Sequence, residues 1–155
     1  MNNISFSWDE ETGQSVCTLI DRDKIYQGFA WCREEDRDMM NEKTGCTIAE
    51  YRAYIAWAKS VRDNEIKPKL AALKEFKNTI NQSIKCDPKT YIPKMLDRQI
   101  RHYEEELEII KDTINNYKGE LNSYLKNKAE FYEKIRRNRN KDKKKKKKVL
   151  YFHFI

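Results

Sequence analysis

Apolar residues recur at alternating steps of four and three along the second half of the chain. The first part of this series, here called the hairpin seam, consists of Leu96, Ile100, Tyr103, Leu107, Ile110, Ile114 and Tyr117. The second part, here called the distal stripe, consists of Leu121, Tyr124, Phe131 and Ile135 with one polar member, Lys128. A spacing of about 3.5 residues keeps such a stripe in line along a supercoiled helix. The pattern therefore predicts one long coiled-coil helix that begins between Pro88 and Pro93 and ends at about Arg137.

An earlier helical pattern predicts the partner of this helix. Thr47 and Glu50 have the spacing of a capping box, so a helix should begin at Thr47. Apolar residues continue at helical spacing to about Lys85, and Pro68 should cause a kink or a restart capped by Asn64. The two helices can pair as an antiparallel hairpin. Because the second is longer, the distal stripe should overhang and be buried by another chain, which predicts a homodimer or larger assembly.

Residues 4–32 have the alternating pattern of β-strands instead. Turn-forming residues separate three predicted strands, over 4–8, 15–20 and 25–32. In the third strand Ile25, Phe29 and Trp31 share one face. Three strands form a meander that cannot bury both faces, so a helix should cover the apolar face.

These elements together predict an α+β protein that is mostly α. A small N-terminal antiparallel β-meander packs on a helix and is extended by a long antiparallel helical hairpin. The predicted organisation is a β-meander with an acidic loop over 1–46, a helical hairpin over 47–137 and a basic, disordered tail over 138–155.

The net charge of +7 is a property of the tail. Residues 134–148 contain eleven bases and one acid, a net of +10, so the remainder of the chain is mildly acidic at −3. The candidate nucleic-acid contacts are Arg136, Arg137, Arg139, Lys143, Lys144, Lys145, Lys146, Lys147 and Lys148. The same lysines would attract anionic lipid, or serve only as a solvated arm. No aromatic residue is interleaved with these bases, which does not favour a folded nucleic-acid groove.

The sequence contains none of the motifs that carry catalysis or metal binding. Its four cysteines never form a C-x-x-C pair, so reduced thiols are expected and neither a metal nor a cofactor is assigned. His102 lies among glutamates on the predicted helix and has the context of a surface residue. No Gly-rich phosphate loop, nucleophile elbow or zinc-protease motif occurs. We therefore expect a protein that is not an enzyme. With neither a long apolar run nor a signal-peptide pattern, we expect a cytoplasmic protein without an integral membrane segment.

Three short segments resemble a pattern found in small accessory proteins of bacteriophages and prophages. They are Gly28-Phe29-Ala30-Trp31-Cys32-Arg33-Glu34-Glu35-Asp36, Glu42-Lys43-Thr44-Gly45 and Ile48-Ala49-Glu50-Tyr51-Arg52-Ala53. In those proteins a strand ending in Ala-x-Cys meets an acidic turn, and a glycine precedes a helix that opens with Ile-Ala and Arg-Ala. The resemblance implies a phage-encoded protein in the host cytoplasm that binds or inhibits a host factor, including a defence factor.

The sequence thus favours a non-enzymatic, oligomeric protein-binding module with the distal stripe as its oligomer or partner interface. The N-terminal sheet is the alternative surface. The second hypothesis is a nucleic-acid-binding protein that acts through the basic tail.

Overall fold

The computed structural model describes residues 3–32, 37, 39, 41–83 and 91–151. The elements are strands β1 (Asn3–Asp9), β2 (Gln14–Asp21) and β3 (Lys24–Trp31), followed by helices α1 (Glu42–Val61), α2 (Lys67–Ser83) and α3 (Tyr91–Tyr151), with a π-helical turn, Arg62–Ile66, between α1 and α2. The contacts divide the chain into two units, Met1–Lys118 and Gly119–Ile155. The predicted fold class, an α+β protein that is mostly α, is confirmed.

The three strands form one antiparallel sheet in the order β1-β2-β3. Directly opposed residues of neighbouring strands share a side of the sheet. The side covered by α1, here called the inner face, carries the β2–β3 pairs Ser15–Ala30, Cys17–Gly28 and Leu19–Tyr26. The other side, here called the outer face, carries Gln14–Trp31, Val16–Phe29, Thr18–Gln27 and Ile20–Ile25.

Small residues let α1 approach the inner face closely. A Cβ atom on Gly28 would stand 1.9 Å from the backbone oxygen of Ala49 and 2.4 Å from the backbone nitrogen of Ala53. Both alanines are buried, and they complete a core with Cys17, Leu19, Tyr26 and Ala30 of the sheet. Contact between backbones, which needs glycine and alanine on both sides, therefore joins α1 to the sheet.

The sequence predicted the wrong side of β3 for this contact. Ile25, Phe29 and Trp31 were expected under a helix, yet they lie on the outer face and are 63%, 36% and 62% exposed. The large side chains made that side look like the core. The helix packs on the opposite side because Gly28 and Ala30 leave room for its backbone.

Helix α1 also begins earlier than the predicted Thr47. Its N-cap is Asn41, whose Oδ1 accepts a hydrogen bond from the backbone nitrogen of Thr44 at 3.0 Å. Thr47 lies inside the helix, where its hydroxyl donates to the carbonyl oxygen of Lys43 at 2.8 Å. The predicted capping box is therefore wrong, and α1 begins at Glu42 instead of Thr47.

Gly45 explains part of this error. It looks like a turn residue in the sequence but lies in α1, where a Cβ atom would stand 2.0 Å from the hydroxyl of Ser15. The glycine serves the contact between α1 and β2. Most of the rest of the predicted acidic loop lies outside the described residues.

The π-helical turn Arg62–Ile66 lies just before Pro68, which is the second residue of α2. The backbone nitrogen of Lys67 donates to the carbonyl oxygen of Arg62, five residues earlier. Pro68 has no N–H with which to continue the α-helical pattern. The change of hydrogen-bond register therefore falls just before it. Asn64 does not cap a new helix, because its side-chain amide donates to the hydroxyl of Ser60 at 3.1 Å.

Side-chain contacts within Met1–Lys118 confirm the predicted antiparallel hairpin. Residue numbers fall on one arm as they rise on the other in the contacts Tyr54–Tyr117, Lys69–Tyr103 and Lys77–Asp97. The hairpin seam supplies Ile110 and Ile114 to a buried cluster with Ala58 and Ile66. Leu96 is also buried, while Ile100, Tyr103, Leu107 and Tyr117 are half-buried. Trp57 packs against this cluster and also against the core of the sheet.

Helix α3 runs past the predicted end at Arg137 and continues to Tyr151. The sequence predicted disorder beyond that end. Lysine has a favourable helix propensity, and extension of an existing helix needs no new nucleus, so backbone terms favour continuation over the repulsion of like charges. Residues 152–155 of the apolar terminus lie outside the described residues.

Candidate protein-interaction surfaces

The first candidate surface is the distal stripe, which lies on α3 within the unit Gly119–Ile155. Leu121 is 9% exposed, whereas Phe131 is 55% exposed. Tyr124, Lys128 and Ile135 are half-buried. Phe131 is therefore the most exposed member of the stripe.

Lys128 extends the apolar character of the stripe although it is charged. Its Nζ lies 5.5 Å from the centre of the Tyr124 ring, a cation–π contact within one turn of the helix. Further along, the rings of Phe131 and Tyr132 lie 5.8 Å apart in a tilted arrangement. Aromatic rings that pack with a lysine stem and with each other form a surface suited to another apolar surface.

The unit that carries the distal stripe is strongly basic. Gly119–Ile155 contains thirteen basic and four acidic residues, a net of +9. Arg136, Arg137 and Arg139 are exposed on α3, and Arg137 pairs with Glu133 four residues earlier. The backbone of Lys143 to Lys148 belongs to the same helix, so the candidate nucleic-acid contacts lie on one continuous element.

The second candidate surface is the outer face of the sheet. The rings of Phe29 and Trp31 stack there with centroids 5.8 Å apart and an angle of 14° between their planes. In the next pair of positions the side-chain amide of Gln27 donates to the hydroxyl of Thr18 at 3.2 Å. Ile20 and Ile25 form an apolar pair beyond it, and both are exposed. Among the described residues, no element packs against this face.

On the edge strand β3, one backbone carbonyl already accepts a hydrogen bond from α1. Arg52 of α1 donates from its guanidinium to the carbonyl oxygen of Phe29 on the edge strand β3. A carbonyl engaged in this way is less available to a strand from another chain. The outer face is therefore a better candidate for binding than this edge.

Polar contacts hold the sheet to the helices at the end opposite Trp31. The indole nitrogen of Trp57 donates to Oδ2 of Asp21 at 2.9 Å in a partly buried position. Lys24 pairs with Glu65 of the π-helical turn at 2.9 Å. Hydrogen bonding to Lys24 lowers the pKa of Glu65, and the same bond raises the pKa of Lys24. These contacts fix the orientation of the β2–β3 turn.

Two of the described cysteines, Cys17 and Cys46, do not have the environment of reactive thiols. Burial raises the pKa of the Cys17 thiol to about 11, with a smaller contribution from the charge of Glu50. Burial also raises the pKa of Cys46. A thiol reacts as its thiolate, so the raised pKa disfavours reaction of both groups near neutral pH. Cys86 lies outside the described residues.

No group of metal-binding side chains comes together in the described part of the chain. His102 is exposed on α3 and lies 3.4 Å from Glu106, one turn further along. None of the helices in the described ranges is long and apolar enough to cross a bilayer.

The sequence predicted the distal stripe and the basic residues as candidate interfaces, and both stay predictions. The apolar residues of β3 were expected under a helix but lie on the outer face. Its signal was present in the strand alternation, because Val16 and Ile20 on β2 lie opposite Phe29 and Ile25 on β3 and therefore share their face once the pairing is known. No known protein family, curated protein or solved structure matches the chain. The similarity to phage accessory proteins stays a prediction.

Proposed function

We propose that this protein is a non-enzymatic protein-binding module and that its distal stripe binds an acidic amphipathic helix of another protein. The observation that carries the proposal is an apolar stripe, with Phe131 55% exposed, on a unit of net charge +9. An apolar stripe on a long helix is the usual element for helix-to-helix recognition.

The positive net charge of the unit Gly119–Ile155 indicates an acidic partner. Two copies of a helix with net charge +9 would repel each other if their distal stripes met. An acidic helix would instead place its carboxylates beside Lys126, Lys134 and Arg136, which flank the stripe in the sequence. We therefore assign the stripe to a different protein and not to a second copy of this chain. The resemblance to phage accessory proteins implies that this partner is a host factor.

A synthetic peptide can test the stripe directly. The probe is an amphipathic helix with leucine at the a and d positions and glutamate elsewhere, and its control carries lysine in place of glutamate. Fluorescence anisotropy should detect binding of the glutamate peptide alone. Phe131→Asp should weaken binding at least about tenfold, because it places a carboxylate in the apolar contact.

The matched control is Ile109→Asp, which makes the same change of charge at an isoleucine that is 66% exposed on α3, outside the stripe. It should leave binding unchanged. Equal binding of the two peptides, or equal effects of the two substitutions, would show that the stripe is not the binding surface.

A second candidate function is nucleic-acid binding through the basic end of α3. It is favoured by the exposure of Arg136, Arg137 and Arg139 on a helix that continues into the six lysines. Replacing the three arginines with glutamine should then weaken binding of duplex DNA and reduce the salt slope by up to about three phosphate contacts. If no binding of DNA or RNA is seen at low salt, this function is excluded.

A further inference from the structure

We propose that two copies of this chain associate through the outer faces of their sheets, in a two-fold symmetric dimer. This surface lies in the unit Met1–Lys118, whereas the proposed binding of another protein uses the unit Gly119–Ile155. The two proposals therefore concern different residues and can fail separately.

The first argument is the symmetry of the residue pattern on β2 and β3. The centre of the pattern is the hydrogen-bonded pair Thr18–Gln27. An apolar pair lies one step away on each side, Val16–Phe29 in one direction and Ile20–Ile25 in the other. Each step covers two residues, or about 7 Å along the strands.

A two-fold axis that crosses the strands through the central pair superposes these three pairs on themselves, while the fourth pair of the face, Gln14–Trp31, lies towards the β2–β3 turn of the other copy. The axis places Phe29 of one copy over Ile25 of the other, so that a large aromatic side chain meets a smaller aliphatic one. The polar pair meets its own equivalent, and Gln27 faces the same residue of the second copy. An isologous interface needs this kind of self-complementary pattern.

The second argument is charge. The strand residues on the outer face are Asn3, Ser5, Ser7, Asp9, Gln14, Val16, Thr18, Ile20, Ile25, Gln27, Phe29 and Trp31, and only Asp9, at one end, is ionisable. The whole chain is 37% charged and has a net charge of +7. Two copies with the same net charge repel each other least where they meet through an uncharged surface. A charged partner would be matched by charged residues, which this face lacks, and the self-complementary pairs of β2 and β3 favour a second copy as the occupant.

The area of the face predicts how tightly the copies bind. Three strands spaced about 4.8 Å apart and about eight residues long present roughly 400 Å². A stable interface of standard size buries about 800 Å² on each partner. The dimer should therefore be reversible, with a dissociation constant in the micromolar range or weaker.

Sedimentation velocity over a series from low micromolar to several hundred micromolar protein tests the dimer. The full-length chain should change from monomer to dimer within this range. Ile25→Lys and Trp31→Lys should remain monomeric, and far-UV circular dichroism should show that they stay folded because both side chains are already exposed. Ile109→Lys is the matched control and should dimerise like the unmodified chain.

The self-facing position of Gln27 allows a sharper test of the register. Gln27→Glu and Gln27→Lys should each weaken the dimer at least about tenfold, because like charges would meet at the two-fold axis. An equimolar mixture of the two variants should restore association as a heterodimer. Only a residue that lies opposite its own equivalent gives this result.

Three results would overturn the proposal. The unmodified chain could stay monomeric at several hundred micromolar, the mixture of Gln27 variants could fail to associate, or Phe131→Asp could abolish dimerisation while Ile25→Lys does not. The last result would transfer self-association to the distal stripe. Loss of binding to the acidic peptide with an intact sheet dimer would instead affect only the proposed function.

Discussion

Substitution of Gly28 by alanine should destabilise the unit Met1–Lys118 by about 3 kcal/mol, at the upper end of the range for overpacked cores. The added Cβ would lie 1.9 Å from the backbone oxygen of Ala49, whereas ordinary van der Waals contact begins at 3.4 Å. The clash is with helix backbone, so no rotamer change can relieve it. Helix α1 would have to retreat by about 1.5 Å. A gap of about 1 Å already forfeits up to half of the dispersion attraction between facing atoms.

Urea unfolding followed by tryptophan fluorescence measures this loss, because Trp8, Trp31 and Trp57 all lie in that unit. The midpoint should fall by roughly 1–2 M. Gly119→Ala is the control, because beyond its chain neighbours and the backbone of its own helix no atom lies within 4 Å of the added Cβ. Circular dichroism should show a gain of about 1 kcal/mol from helix propensity. A neutral or stabilising effect of Gly28→Ala would refute the close packing of α1 on the sheet.

Other substitutions test the remaining contacts. Asn41→Ala should lower the free energy of unfolding by about 1 kcal/mol through loss of the N-cap of α1. Thr47→Ala should change it by less than about 0.5 kcal/mol. A larger effect of Thr47→Ala than of Asn41→Ala would support the predicted capping box instead. Trp57→Phe should cost about 1–3 kcal/mol in the same measurement, because it leaves a partly buried carboxylate without its donor, and an unchanged midpoint would contradict that contact. The pKa of Glu65 is lowered by its hydrogen bond with Lys24, so its contribution to stability is present above its usual pKa of 4.5 and is lost as the pH falls. Glu65→Gln should therefore make the stability less dependent on pH between about pH 5 and pH 3, and an unchanged profile would exclude the pair as the cause.

Periodicity carried most of what the sequence could predict about the fold. The three strands follow from apolar residues two positions apart, and the helices of the hairpin follow from apolar residues three and four positions apart. Each spacing determines which side chains share a face. The hairpin seam packs against α1 and the π-helical turn for this reason, as the cluster of Ile110 and Ile114 with Ala58 and Ile66 shows. The distal stripe was visible by the same pattern, although periodicity does not identify what would bind it.

The errors arose where backbone contacts outweighed side-chain size. Ile25, Phe29 and Trp31 looked like the covered face of the sheet, but Gly28 permits the closer approach on the other side. Gly45 is a residue type typical of turns but lies inside α1, which begins at Glu42, before the predicted start at Thr47. A glycine in the sequence indicates that a side chain is missing at that position but does not show which neighbour fills the space. The covered face therefore could not be chosen until the three-dimensional neighbours of each glycine were known.

Trp57 packs against the core of the sheet and also against the cluster between α1 and α3. One rigid side chain shared by both cores couples their unfolding, because the sheet cannot release α1 without also exposing part of the hairpin core. Native-state hydrogen exchange should accordingly give the amides of β2 and those near Ile110 the same free energy of opening. The meander and the hairpin of this unit would then form a single foldon, and a fragment that contained either one alone would be a poor mimic of the native protein.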